Sequence, residues 1–307
     1  MAFKNIKPNL SVTLRRSSVM TKKFLLVTTM FYCFLMSTSP APALPNNVSV
    51  SNTPHFKKIV WMVFENSDYQ STLAQPDFKL LTKYGMLFTN LTAEAHPSQG
   101  NYIAMVAGSP LGIKDDKPKD LSENHIADLI EHAELTWHVY AEDFPGNCFT
   151  GKDSANYVRK HNPLISFLNI TKNPARCAHI ENANRFMDDF ANKKLANFSM
   201  YIPNLKNDGH DTGVNFAGKW LSSHVGKILT QPNQLDDVFF IITFDESGGS
   251  SSNQIFTLLI GSNIKAGQAN NQALSHYSLL KLIEDEFGLG NLGRYDKTAT
   301  AIQGIWK

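Results

Sequence analysis

The sequence predicts an α/β fold, a mostly parallel central sheet with helices on both faces, and two observations carry that expectation. The first is a set of apolar runs of strand length: Ile59 to Phe64, Trp137 to Tyr140, Phe198 to Ile202, Val238 to Phe244 and Ile255 to Ile260. Runs without polar alternation belong to strands buried on both faces, as in parallel sheets. The second is that segments of helical period lie between these runs, and strands alternating with helices imply crossover connections.

Taken in order, the first strand stops at Glu65-Asn66. Asn101 to Gly108 reads as a buried helix, introduced by a turn that Pro97 and Gly100 punctuate. Ser122 to His132 carries Ile126, Leu129 and Ile130 on one helical face. Asp143 to Asn173 shows little periodicity and contains both Pro and Gly, so it is expected to be a long loop forming a wall or lid near the site. Helices are expected over Ala178 to Leu195, Phe216 to Leu229 and Ser275 to Phe287, the last stopped by Gly288. Lys114 to Asp120 reads as a charged surface turn.

The N-terminus has the three parts of a secretory signal. Lys4, Lys7, Arg15, Arg16, Lys22 and Lys23 precede the apolar run Phe24 to Met36, and Ala41-Pro42-Ala43 supplies small residues for cleavage. Residues 1–43 are therefore expected to be a signal peptide, with Met20 an alternative start, and residues 44–307 a single domain that is secreted or periplasmic. The competing reading, an uncleaved anchor, needs about 20 apolar residues, more than this run has. No membrane span is then expected after signal removal. Removal takes Cys33 with it and leaves Cys148 and Cys177, which in an exported chain are most simply a disulfide, against the alternative of two buried thiols. A formal net charge of +2, with no basic block, argues against nucleic acid as a specific partner.

Chemistry concentrates at strand ends. Glu65-Asn66 follow the first strand, Asn204 to His210 follow the Tyr201-Ile202 strand, and Asp245-Glu246 follow Phe244. Carboxylates crowded on one edge repel, and a divalent cation among them relieves that cost. Oxygen-rich ligation suits Mg, Mn, Ca or Zn. Ser98, at the entrance to a helix, is placed where an anion meets backbone N–H groups, although capping is the ordinary use of such a serine.

Phe64-Glu65-Asn66, His96-Pro97-Ser98-Gln99-Gly100-Asn101-Tyr102, Tyr201-Ile202-Pro203-Asn204 with Asn207-Asp208-Gly209-His210-Asp211, Thr243-Phe244-Asp245-Glu246 and His276-Tyr277-Ser278-Leu279-Leu280 stand in that order. They resemble the motifs of the bacterial and fungal phosphoesterase family, which includes acid phosphatases and phospholipases C within the alkaline-phosphatase-like superfamily. The resemblance implies an alkaline-phosphatase-like fold and a phosphoesterase with Ser98 as phosphorylated nucleophile. It implies Asn101 as a contact to phosphoryl oxygens, and Glu65, Asn66, Ser98, Asp245 and Glu246 as metal ligands. Glu246 stands where two-zinc relatives have His, which favours one ion assisted by histidines. His210 or His276 is the expected proton donor to the leaving group, and His96, Asn101 and Asp208 are the substrate-binding candidates. The expected substrate is a phosphate monoester. The alternatives are a phospholipid cleaved in phospholipase C fashion, or a secreted phosphate- or glycan-binding protein that has lost catalysis.

Overall fold

The computed structural model describes residues 54–307, so the expected signal segment and Cys33 lie outside the described residues. Eight strands form the central sheet: β1 (Lys58–Phe64), β2 (Met86–Phe88), β3 (Trp137–Ala141), β4 (Ile180–Asn182), β5 (Phe198–Ile202), β6 (Val238–Phe244), β7 (Thr257–Gly261) and β8 (Gln268–Asn270). Their order across the sheet is β8-β2-β7-β6-β1-β5-β3-β4. Only β7 is antiparallel to its neighbours; the other pairings are parallel.

In β1 the six residues from Ile59 to Phe64 are all buried, and so are the six from Phe239 to Phe244 in β6. Successive side chains point to opposite faces of a strand, so unbroken burial means that both faces of the sheet are covered. Each fully buried Ile or Phe in this layer contributes about 1.5–3 kcal/mol relative to exposure. Phe64, Phe78 and Phe244 form an aromatic cluster under the carboxyl ends of β1 and β6, with ring centroids 5.5 and 5.6 Å apart.

Four helices matter for the site or its support: α1 (Gln99–Ala107), α2 (Ile126–His132), α3 (Val214–His224) and α4 (His276–Phe287). α1 is buried throughout and packs against α4. α4 begins as its sequence prescribes, with Ser275 Oγ accepting the Tyr277 N–H at 3.2 Å and Ser278 Oγ accepting the Ser275 N–H at 3.3 Å. It ends at Gly288 in the left-handed conformation.

Several expectations need correction. The segment read as one helix from Ala178 to Leu195 is instead edge strand β4, a 3-10 turn (Ala183–Arg185) and a short helix (Phe186–Ala191). Ile180 pairs with Val139 of β3, and the sheet's demand for an edge strand overrides local helical preference. Phe216 to Leu229 is interrupted at Val225, which leaves α3 and one further turn (Gly226–Leu229). Residues before Ile126 are not helical, because Leu121 pairs with Phe167 and the Asp128 carboxylate accepts the His125 N–H at 2.9 Å, which starts α2 there. Strands β2, β4 and β8, three residues each, are too short to show a pattern.

The aperiodic segment carries a small hairpin (Asp153–Ser154 with Tyr157–Val158) and a 3-10 turn (Arg159–His161). Cys148 and Cys177, 29 residues apart, are joined by a disulfide with Cα atoms 5.7 Å apart. Among the described residues no helix is long and apolar enough to cross a membrane.

Candidate active site

The three central strands β6, β1 and β5 run parallel side by side, so their carboxyl ends share one edge, where ligands bind in open α/β sheets. Glu65 leaves β1, Asp245 leaves β6, and Asp208 sits in the turn beyond β5. Backbone bonds tie the three ends together. The Glu65 N–H donates to the Asp208 carbonyl at 3.1 Å, the Asp245 N–H to the Phe64 carbonyl at 2.9 Å, and the Asn66 N–H to Asp245 Oδ1 at 3.2 Å. Asn66 turns the chain off β1 with φ of 39°, a left-handed conformation that Asn tolerates better than most residues. Gly209, with φ of 99°, makes the reversal that lets the His210 N–H reach Asp208 Oδ1 at 2.8 Å.

Ser98 immediately precedes α1, yet its side chain makes no capping bond. Its Oγ instead lies 3.1 Å from Glu65 Oε2 and 3.1 Å from Glu246 Oε1, and it also touches the Asn66 amide. One hydroxyl proton serves one acceptor at a time, so a serine faced by two carboxylates sits in an excess of acceptors. The Asn66 amide fits best with its nitrogen donating to Glu65 Oε2 at 2.9 Å and Asp245 Oδ1 at 3.1 Å. His96 Nδ1 pairs with Glu246 Oε2 at 2.5 Å.

Glu65, Asp208, Asp245 and Glu246 are all buried. Burial, and next to it the neighbouring carboxylates, push Glu65 and Asp245 well above the usual carboxylate range. Burial likewise raises Asp208 and Glu246. Among the described residues no donor reaches Asp245 Oδ2. Glu65 Oε1 and Asp208 Oδ2 lie within ion-pair distance of His161, at 3.2 and 3.4 Å, but neither contact is aligned as a hydrogen bond. Burial and the adjacent Lys160 ammonium push His161 well below the usual imidazole range, so the ring is neutral and one nitrogen carries a lone pair. Buried oxygens without donors, beside a neutral imidazole, are the donor set that a divalent cation satisfies. Among the described residues no three His, Cys, Asp or Glu side chains are already drawn around one point as ligands. The fit therefore rests on the chemistry of the donors.

His161 is a site residue that the sequence does not single out. It lies in the aperiodic segment, its ring stacks on Tyr102 of α1 with centroids 5.0 Å apart, and His210 stands 6.1 Å away. The one available signal was compositional, an Arg159-Lys160-His161 run inside the disulfide-closed loop. Lys114 to Asp120 is more than a surface turn. Asp116 Oδ1 accepts the Gln99 N–H at 3.1 Å and Asp116 Oδ2 accepts Lys160 Nζ at 2.9 Å, while the buried Gln99 amide nitrogen donates to the Asp115 and Lys117 carbonyls.

Ser98, Glu65, Asn66, Asp245, Glu246, His96 and Asp208 come together on this edge, and His210 borders it with Nδ1 on Asp211 at 2.7 Å. Asn101 and His276 are placed differently. Asn101 Oδ1 accepts the Glu94 and Ala95 N–H groups at 3.0 and 2.9 Å, and its Nδ2 donates to the Ala95 carbonyl at 2.9 Å, so its amide holds the loop that leads to Ser98. His276 is fully buried, with Nδ1 on Glu94 at 2.6 Å and Nε2 on the Phe244 carbonyl at 3.0 Å. Burial alone would strip its proton, but Glu94 and the carbonyl hold its pKa above the usual value. With both nitrogens committed, His276 fixes the peptide before Asp245 and has no nitrogen left to protonate a leaving group.

The sequence profile of the Phosphoesterase family matches residues 58–290. The chain belongs to that family. As a phosphoesterase-family chain it is 37% identical to an acid phosphatase of Aspergillus fumigatus over 80% of its own length and 57% of that protein's. It is 30% identical to the phosphatidylinositol-3-phosphatase of Mycobacterium tuberculosis, covering 84% of this chain and 86% of that protein. The chain thus spans only part of the fungal relatives it matches, 57% and 62% of the Aspergillus and Kluyveromyces lactis proteins. A protein in the alkaline phosphatase superfamily from Vibrio parahaemolyticus superposes with a TM-score of 0.54 at 14% identity, over 82% of this chain and 72% of that one. The Agrobacterium radiobacter phosphonate monoester hydrolase gives 0.52 at 10% identity, over 82% and 79%. These two likenesses show the alkaline-phosphatase-like fold.

Proposed function

We propose that this phosphoesterase-family chain is an exported, metal-dependent phosphomonoesterase of acid phosphatase type, with Ser98 as nucleophile. The observation that carries the reading is the orientation of Ser98, whose side chain does not cap its own helix and turns its hydroxyl into the buried carboxylates. A divalent cation held by Glu65, Asn66, Asp245 and Glu246, with Asp208 and His161 at its border, would lower the hydroxyl pKa and offset phosphoryl charge. Ser98 Oγ attacks phosphorus in line, its proton passing to Glu246 Oε1 3.1 Å away, and the bond from phosphorus to the leaving oxygen breaks; Glu246 returns that proton to Oγ when the phosphoserine bond is hydrolysed. His210, oriented by Asp211, gives that oxygen its proton and then takes one from the water that releases phosphate from Ser98. The relatives described above are named as phosphatases, which favours a monoester over a phospholipase C reaction.

Export rests on the N-terminal pattern and is supported by the Cys148–Cys177 crosslink, which persists in oxidising compartments. The deciding experiment is hydrolysis of a phosphate ester chiral at phosphorus. Two displacements through phosphoserine retain configuration, and inversion would remove Ser98 from the reaction.

A further inference from the structure

A cavity of about 270 Å³ has Lys160 and His210 both on its wall, and His161, next to Lys160 in the chain, faces Glu65 and Asp208 of the carboxylate cluster. His210 is the group proposed above to protonate the leaving oxygen, so the space next to it is where the departing alcohol goes. Of the three cations on that wall, Lys152 is 76% exposed and satisfied by solvent, and Arg159 is already spent. Its guanidinium donates to the Thr150 and Lys119 carbonyls and to Asp120 Oδ1, at 2.6 to 2.7 Å. Lys160 is not. Its ammonium has three N–H groups, and among the described residues one carboxylate oxygen, Asp116 Oδ2 at 2.9 Å, receives one of them. Its side chain is only 19% exposed, so solvent does little to satisfy the other two. The same Asp116 accepts the Gln99 N–H next to Ser98, which fixes the ammonium relative to the nucleophile's helix.

Resting on the phosphomonoesterase reading, we infer that this cavity houses the leaving group and that Lys160 selects alcohols bearing a second anionic substituent, a phosphate or carboxylate. A partly buried ammonium with unpaired N–H groups makes charge-assisted bonds to such a group, stronger than those it makes to a neutral hydroxyl. Asp116 and Asp153, both on the cavity wall, partly offset the lysine charge, so the selection is a preference rather than an absolute requirement.

The test compares two substrates that differ only in that substituent, propane-1,3-diol bisphosphate and 3-hydroxypropyl phosphate, by the ratio of their kcat/KM values. The ratio is expected to favour the bisphosphate by about tenfold in the native protein, to collapse to about twofold or less in Lys160→Met, and to recover in Lys160→Arg. A ratio unchanged by Lys160→Met, even with both rates reduced, would overturn the inference and assign Lys160 to the transferred phosphoryl group. If neither ester is hydrolysed, the phosphomonoesterase reading has failed, and the pocket is decided by calorimetric binding of the two esters to Ser98→Ala protein. Tighter binding of the bisphosphate that Lys160→Met abolishes sustains the pocket, and equal binding sinks it.

Discussion

Ser98 Oγ and Glu246 Oε1 lie 3.1 Å apart across 148 residues of sequence, while the N–H groups of the helix that Ser98 introduces take nothing from its side chain. A helix-capping serine is worth about 1 kcal/mol, and this one contributes none of that. Ser98→Ala should therefore melt within a degree or two of the native protein, or above it, and lose nearly all turnover. An alanine variant that melts clearly earlier and still turns over substrate would make Ser98 a structural residue.

Asp245 couples stability to metal in a direction that is easy to read. Its Oδ2 is buried without a donor, so in chelator it costs stability rather than supplying it. Asp245→Asn should melt higher than the native chain in chelator and lower than it with saturating Mg or Zn, and it should bind the ion more weakly by calorimetry. The same rank order with and without metal would mean that Asp245 is not a ligand.

His276 and Glu94 are a buried pair whose removal by halves is costly. His276→Ala leaves the Glu94 carboxylate without its imidazole and the Phe244 carbonyl without a donor, a loss of about 3–5 kcal/mol. Turnover should fall too, because Asp245 follows that carbonyl directly. Urea unfolding measures the first effect. If stability is unchanged, the pair is not made in solution.

Far from the site, Glu284 on α4 gives a pH dependence of known sign. Burial, then the neighbouring Asp296, push its pKa up to about 9. The folded chain thus keeps a proton that the unfolded chain gives up above about 4.5. Stability from this group is full below that value and is lost as pH rises toward 9, by up to about 1.4 kcal/mol per pH unit. Glu284→Gln should flatten the alkaline limb of the stability profile, and an unaltered limb would show that the carboxyl is ionised when folded.

Reduction of the Cys148–Cys177 crosslink should cost on the order of 3–4 kcal/mol for a loop of this length. Because Lys160 and His161 sit inside that loop, turnover should fall at reductant concentrations that leave the sheet intact by circular dichroism. Activity that survives full reduction would mean the loop stays ordered without the crosslink.

The parts of this molecule that were legible are those whose burial is written in consecutive residues. Ile59 to Phe64 and Val238 to Phe244 announce two-sided strands because every position but Thr243 is apolar, and the acids at their ends follow by topology. His161 was illegible because nothing local distinguishes it; its role comes from stacking on Tyr102, 59 positions earlier, and from facing Glu65 and Asp208. The sequence marks His276 as important but cannot show that Glu94 and the Phe244 carbonyl occupy both its nitrogens. Ile180 to Asn182 looked helical because an edge strand of three residues gains its identity only from its neighbour.

The side-by-side order of β6, β1 and β5 has a kinetic consequence. Residues 65, 98, 161, 208 and 245 meet only when strands from both ends of the domain have paired, so no fragment that folds locally holds the cluster. Such non-local pairing is slow to form, because chain-closure entropy is lost before contacts compensate it. Recovery of turnover after dilution from denaturant should accordingly lag the recovery of helical signal, which makes catalysis itself a clock for the last stage of assembly.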